Sequence, residues 1–374
     1  MKTLTQVLTI MAMSITLQSE TRAEDPVVFI SAFTKGEDGA IHAYNFDSKS
    51  GKLTLLHRTT DVENPFFMAL SNNGKFLYSI HALAFGGKEN EEVAAYQVDG
   101  RSGKLHLLNR QTSSGTASCY VEVDSTGRSL LIANYSSGDV ASLPILDDGK
   151  LGKTVSYFKH PGKTPDQKNT NAHSVIVSPD NKFAFVADLG IDKIMIYQLD
   201  AATAKLTSHT PDSVDLPIGS GPRHLAFHPN GNFLYAINEK GNTISAFSYD
   251  AEKGILSDLQ VISTIPESFE GRTFTADLKI TPQGKFLYGT NRGHDSISCY
   301  RIGENGKLTL LKIEPSLGKG PQNLAITPNG NHLLCANMPG NNVVVFKIDS
   351  DTGTLSAIGE PVEIPKPSCI MILR

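Results

Sequence analysis

The chain has 374 residues, 40% of them hydrophobic, and a formal net charge of −4. That composition allows a large buried core. It supplies no basic excess to hold a nucleic-acid backbone and no like-charge block that reads as a tail.

The first residues differ from the rest. Met1-Lys2 gives a positive start, Leu4 to Leu17 is mostly apolar or hydroxylic, and Ser19 to Ala23 ends in a small residue. This is the pattern of a secretory signal peptide over residues 1–23. A single domain is expected over 24–374, periplasmic or secreted. The apolar stretch is too short and too polar to span a bilayer, and no other segment approaches about 18 apolar residues. No membrane association is expected of the mature form.

From Val27 to Leu56 the chain reads as strands with tight turns. One pattern then recurs: an apolar strand, a turn built on Pro-Asn-Gly or a relative, and an aromatic-rich strand. The turn residues are Gly74, Gly127, Asn181, Gly231, Gly284 and Gly330. Gly or Asn there supplies the positive φ that a tight turn between strands needs. In the fourth occurrence four strand-like runs follow in order: His224 to Phe227, Phe233 to Ile237, Thr243 to Tyr249 and Leu256 to Ile262. We label them A, B, C and D. The C-to-D turn carries Gly-x-Leu, as at Gly51-Lys52-Leu53, Gly103-Lys104-Leu105 and Gly353-Thr354-Leu355.

Four short antiparallel strands repeating about every fifty residues predict an all-β, seven-bladed β-propeller. Six turn motifs define six blades. The N-terminal piece lacks an A strand, and Ile370 to Leu373 is an A strand alone, preceded by Lys366-Pro367 where other units carry Gly221-Pro222 or Gly320-Pro321. Together the two termini make the seventh blade and close the ring, which removes exposed edges.

The four cysteines, Cys119, Cys299, Cys335 and Cys369, match no zinc spacing. They are expected as buried free thiols, with at most one disulfide.

The start of each A strand and the end of each B strand should share one face, at the mouth of the central channel. After strand B an Asn or Asp recurs: Asn134, Asp188, Asn238, Asn291 and Asn337. Such recurrence suits a turn or strand cap. The next position diverges, and holds Glu239 and Arg292 where other units hold Tyr135, Leu189 and Met338. Before strand A, one half of the ring carries His173, Arg223, His224, Asp277, Gln322 and Asn323, and the preceding loop adds Arg272. A repeated scaffold does not need these charges. His42, His57, His81, His106, His209, His228 and His332 read as surface or turn residues.

Arginines bind carboxylate or phosphate through paired hydrogen bonds and stabilise an oxyanion developing at an ester carbonyl. A His or Glu beside them can act as general base toward water. There is no Gly-x-Ser-x-Gly elbow, phosphate loop or His-Glu-x-x-His helix to support covalent serine or zinc chemistry. No cofactor is expected.

Several strings resemble the seven-bladed lactonase family, which includes propeller-type 6-phosphogluconolactonases and carboxy-muconate cyclases. They are Asn171-Ala172-His173-Ser174, Gly221-Pro222-Arg223-His224-Leu225-Ala226-Phe227-His228-Pro229, Asn238-Glu239, Thr275-Ala276-Asp277-Leu278, Asn291-Arg292 and Gly320-Pro321. The resemblance runs from about Val27 to Leu373. It implies a metal-free propeller that hydrolyses a sugar-acid lactone, with an anionic lactone as partner. It also implies active-site roles for His173, Arg223, Glu239 and Arg292. Arg223 and Arg292 would hold the substrate anion and carbonyl oxygen, and His173 or Glu239 would activate water. His224, Arg272, Asp277, Asn323 and Asn238 are expected to contact substrate. Two other readings use the same face: an exported binding propeller without enzymatic activity, and a lactone-forming cyclase.

Overall fold

In the computed structural model, residues 25–60, 62–82, 90–162 and 169–373 are described. The expected signal peptide, residues 1–23, lies outside them.

The described residues form seven four-stranded antiparallel sheets, each a blade. Blades 2 to 7 follow the chain in A-B-C-D order. Their inner strands are Pro65–Leu70, Ser118–Val123, Ala172–Val177, Pro222–Phe227, Phe274–Ile280 and Pro321–Ile326. Blade 1 takes its inner strand, Pro367–Ile372, from the C-terminus and its other three from the N-terminus. The closure pairs Val28 with Ile372 and Ser31 with Cys369. The helical content of the described residues is two single 3-10 turns, Gly36–Asp38 and Gly100–Ser102.

Burial explains why these runs are strands. The B strand of blade 5, Phe233–Asn238, is buried at five consecutive positions because neighbouring blades cover both its faces. The D strand of blade 1, Leu53–Thr59, faces solvent and is mostly exposed between its buried ends. The A-to-B turns take the conformation the sequence requires, with φ between 62° at Asn181 and 76° at Gly231 and Gly330.

Adjacent blades lock through a repeated contact. The first B-strand aromatic packs on the C-to-D turn glycine of the next blade: Phe76 on Gly149, Phe183 on Gly254, Phe233 on Gly306 and Phe286 on Gly353. A Cβ at Gly353 would come within 2.4 Å of the Phe286 ring. Two residues on, Tyr78, Tyr235 and Tyr288 donate their hydroxyls to Gly149, Gly306 and Gly353 carbonyls.

All four cysteines are free and buried. Three histidines depart from their expected surface positions. His42, His81 and His332 are each 5% exposed. The outer strands of their own blade and the adjoining blade cover them. His81 Nε2 meets the Tyr96 hydroxyl at 3.0 Å, and the His332 ring packs edge-on against Phe46.

Candidate active site

Every inner strand carries a β-bulge where it meets the channel mouth. Pro222 pairs with Asn238 and His224 with Ile237, which leaves Arg223 as the extra residue. The equivalent extra residue is His173 in blade 4, Cys119 in blade 3, Gln322 in blade 7 and Ser368 in blade 1. In blade 6 the pair Ala276-Asp277 opposes Thr290 alone, and in blade 2 Phe66-Phe67 opposes Ile80. A bulge bends the strand and re-aims side chains. Here it turns the most variable position of each blade toward its neighbours around one ring.

In five blades the last B-strand residue paired with strand C is Asn or Asp. Asn134 and Asn337 donate to Ser113 and Ser316 carbonyls in the loops before their blades. Asn291 does the same to Thr264. Asn238 is fully buried and donates to Thr243 Oγ1 and Ser245 Oγ, both at 2.9 Å. Its amide nitrogen is therefore engaged behind the site wall.

Beside the bulges lies a charged cluster. Glu239 Oε2 accepts a hydrogen bond from Arg292 Nη2 at 2.7 Å, and Arg223 Nε lies 2.9 Å from the same oxygen. Glu239 Oε1 has no partner among the described residues. Arg292 also donates to the Thr275 carbonyl at 3.0 Å and approaches Gln322 Oε1 at 3.4 Å. Arg223 is 2% exposed, and its Nη1 donates to the Ala276 carbonyl at 2.6 Å. Burial and the neighbouring Arg292 lower its pKa to about 10, so it remains a cation at neutral pH.

Arg223 is held from behind. Its Nη1 donates to His224 Nε2 at 3.1 Å, and His224 Nδ1 lies 2.8 Å from Asp277 Oδ1. A nitrogen that accepts from a guanidinium carries a lone pair, so the proton sits on Nδ1 and is donated to Asp277. Burial and Arg223 lower the His224 pKa to about 3. His224 is thus neutral, with both nitrogens committed. Burial opposes the Asp277 charge. Yet Lys279, the His224 hydrogen bond and the Leu324 amide hold that carboxyl well below its ordinary value. Asn323 completes the support, donating to Asp277 Oδ2 at 2.8 Å and accepting from the Ile370 amide.

His173 stands beside this chain, its ring 5.4 Å from His224 and 5.4 Å from Tyr135. Nδ1 lies 3.7 Å from Cys119 Sγ, a contact the sequence did not reveal. Nε2 has no hydrogen-bond partner among the described residues. Burial, then Arg223 and His224, hold His173 well below its ordinary pKa, so it is neutral. Burial raises the Cys119 thiol far above its ordinary value, which leaves it a packing residue rather than a nucleophile.

The structure thus brings together His173, Arg223, His224, Glu239, Asp277, Arg292 and Asn323. Arg272 stands apart on the rim, its guanidinium 5.0 Å above the Phe274 ring. The open acceptors of the cluster are His173 Nε2 and Glu239 Oε1, beside two guanidinium groups. That is the equipment for activating water against an acyl carbon whose oxygen becomes negative.

A family model described as "Lactonase, 7-bladed beta-propeller" matches residues 27–372. Among similar proteins, a 6-phosphogluconolactonase of Bacillus subtilis is 33% identical over 351 residues, covering 92% of this chain and 98% of the relative. A 6-phosphogluconolactonase of Formosa agariphila is 34% identical over 356 residues, covering 92% and 99%. Among solved structures, a periplasmic gluconolactonase of Pseudomonas aeruginosa superposes with a TM-score of 0.86 at 29% identity, covering 93% of this chain and 99% of that one.

Proposed function

The chain belongs to the seven-bladed β-propeller lactonases, and from that premise we propose that it hydrolyses a sugar-acid lactone at the channel mouth. The observation that carries this reading is the Glu239 carboxylate bridging Arg223 and Arg292 beside a neutral histidine. The named relatives act on gluconolactone or its 6-phosphate, which supports the substrate class.

In this reading Arg292 and Arg223 receive the lactone carbonyl oxygen. Water attacks the carbonyl carbon, and His173 Nε2 takes its proton. The positive field of Arg223 and Arg292 suppresses His173 basicity in the free protein. As the tetrahedral oxyanion forms against those arginines, that field is offset and the imidazole becomes a better base. The stabilisation therefore grows along the reaction coordinate, where it lowers the barrier. The C–O ring bond then breaks, and imidazolium returns the proton to the leaving alkoxide. Glu239 sets the spacing of the two arginines, and His224 and Asp277 hold Arg223 in place.

No metal is required by this scheme, because the inner histidine and carboxylate already satisfy one another. The periplasmic neighbour supports export, which agrees with the signal-peptide pattern of residues 1–23.

The test is the initial rate of hydrolysis of glucono-δ-lactone and its 6-phosphate, with and without chelator. Turnover should be chelator-insensitive. Arg223→Ala should lower kcat by about a hundredfold or more, the scale for losing an oxyanion donor. His173→Ala should lose turnover yet still bind the product sugar acid. No wild-type rate above background on either lactone would remove the lactonase reading.

A further inference from the structure

The central channel has a second mouth, on the face opposite the arginine–glutamate cluster, where the A strands end and turn into the B strands. A cavity of about 600 Å³ opens there, within the range of small-molecule sites, roughly 300–1,000 Å³. Its roof is the ring plug of the channel. Phe67 stacks on Tyr120 with centroids 4.2 Å apart, and Tyr120 meets the His224 ring edge-on at 5.1 Å. Its wall is apolar: Ile280, Ile326 and Ile372 are half-buried where their A strands end, with Pro282 and Pro328 in the turns beyond.

Polar groups converge inside this apolar wall. Residues two apart on a strand share a face, so Glu122 follows Tyr120 down the channel and Lys279 follows Asp277. Lys279 Nζ lies 3.0 Å from each Asp277 oxygen. An ammonium has three N–H bonds, so at least one remains for the cavity that Lys279 lines, where its side chain is 33% exposed. Asp277 also accepts from His224, Asn323 and the Leu278 and Leu324 amides, and these donors offset part of its charge. Glu122 lines a side recess that shares Met371 and Ile372 with the cavity. Neither its carboxyl nor the Tyr120 hydroxyl has a hydrogen-bond partner among the described residues.

Glu122 stands here as a donor. Burial raises its carboxyl, Lys279 opposes the rise and Asp124 adds to it, which brings the pKa to about 8. At neutral pH it therefore carries a proton. Asp124 is committed to the Thr126, Arg128 and Ser129 amides. The side-chain oxygen of Asn323, which also lines the cavity, is taken by the Ile370 amide. The cavity thus offers an ammonium, a carboxylic acid and a phenol, with no open anion to match them. Donors left without acceptors inside an apolar wall are costly. They are complementary to an oxygen anion carried on an apolar body.

We propose that this cavity is a second ligand site, for a medium-chain aliphatic carboxylate, whose carboxylate meets Lys279, Tyr120 and Glu122 and whose chain lies against Ile280, Ile326 and Ile372. The site is separate from the catalytic cluster, because the Phe67 and Tyr120 rings and the His224–Asp277 pair lie between them. It does not depend on the lactonase reading. A sugar acid is the wrong occupant, since its hydroxyls would lie unpaired against the isoleucines.

The experiment is titration calorimetry of the full chain with octanoate, octanol and octylamine. Octanoate should bind about tenfold or more tighter than octanol, the scale for a charged hydrogen bond. Octylamine, whose cation meets Lys279, should bind more weakly than either. Lys279→Met should lower octanoate affinity about tenfold or more and leave octanol affinity unchanged. Lys279 also supports Asp277, so the melting temperature of that variant is measured alongside. Ile280→Glu is the second variant: it spares the Asp277 contacts, sets an anion at the mouth and should weaken octanoate by a similar factor. Arg292→Ala, at the other end of the channel, should leave octanoate binding unchanged. Absence of octanoate binding, equal affinity for octanoate and octanol, or tighter binding of octylamine would overturn the site. So would octanoate affinity that survives Ile280→Glu, or that is lost in Arg292→Ala, which would place the anion at the catalytic cluster.

Discussion

His224 Nδ1 lies 2.8 Å from Asp277 Oδ1, with both side chains almost fully buried. This contact fixes the tautomer that presents a lone pair to Arg223, so a fully buried carboxylate sets the direction of a guanidinium at the site. The pair is a positioning device, and its loss should be felt in catalysis before it is felt in substrate affinity.

Asp277→Asn tests that reading. An amide in place of the carboxylate leaves buried donors that it cannot all accept from, at a cost of about 1–3 kcal/mol, and a lower melting temperature is expected. Beyond the stability loss, kcat should fall more than KM rises, because Arg223 remains present but misdirected. Asn323→Ala, which removes one donor from the same carboxylate, should show the same pattern more weakly. Steady-state kinetics below the melting transition separates the two effects.

Glu239→Gln should keep the fold, since the carboxylate is 21% exposed and serves no backbone group. It leaves Arg223 and Arg292 without the charge that spaces them. We expect kcat/KM to fall about a hundredfold, comparable to losing one preorganised electrostatic contact. A change below threefold would count against a role for the bridge.

Acid should destabilise the protein early. In the unfolded chain His224 takes a proton near its ordinary pKa of 6.5, whereas in the fold it resists until about pH 3. His81 behaves alike, and His42 resists until about pH 4. Between these limits the three histidines hold more protons in the unfolded state, so the stability they contribute is complete above about pH 6.5 and declines as pH falls. Denaturant unfolding at pH 7.5, 6 and 5 measures the slope. The slope should become shallower by about one proton in His81→Phe, a variant outside the active site.

Blade docking has its own signature. Tyr288→Phe removes the bond to the Gly353 carbonyl and should cost about 1 kcal/mol. Gly353→Ala should cost more, because its φ of 74° disfavours a Cβ and the Phe286 ring occupies the space. Chemical denaturation of the two variants should rank them in that order.

The blade count was legible because turn chemistry repeats: Gly74, Gly127, Asn181, Gly231, Gly284 and Gly330 all have the positive φ their residue types announce. The charged positions Arg223, Glu239 and Arg292 were legible as departures from that repeat. The bulges that aim them were not, since the extra residue is Cys, His, Arg, Gln or Ser from blade to blade and has no type in common. Nor did composition separate His173, with an open nitrogen, from His224, whose nitrogens are both committed. That difference depends on which residues of the neighbouring blades lie within reach.

The pairing of Val28 with Ile372 at one end of blade 1, and of Ser31 with Cys369 toward the other, has a mechanical consequence. Both chain ends leave the blade on the same side. Tension applied between them loads the backbone hydrogen bonds one at a time, not together in shear. The closure should therefore peel at low force from the Ile372 end, and the last bonds to part lie beside Ser368, at the channel mouth. A tether or fusion partner that pulls on both termini would open the ring at this closure, whereas one attached at a single end would leave it unloaded.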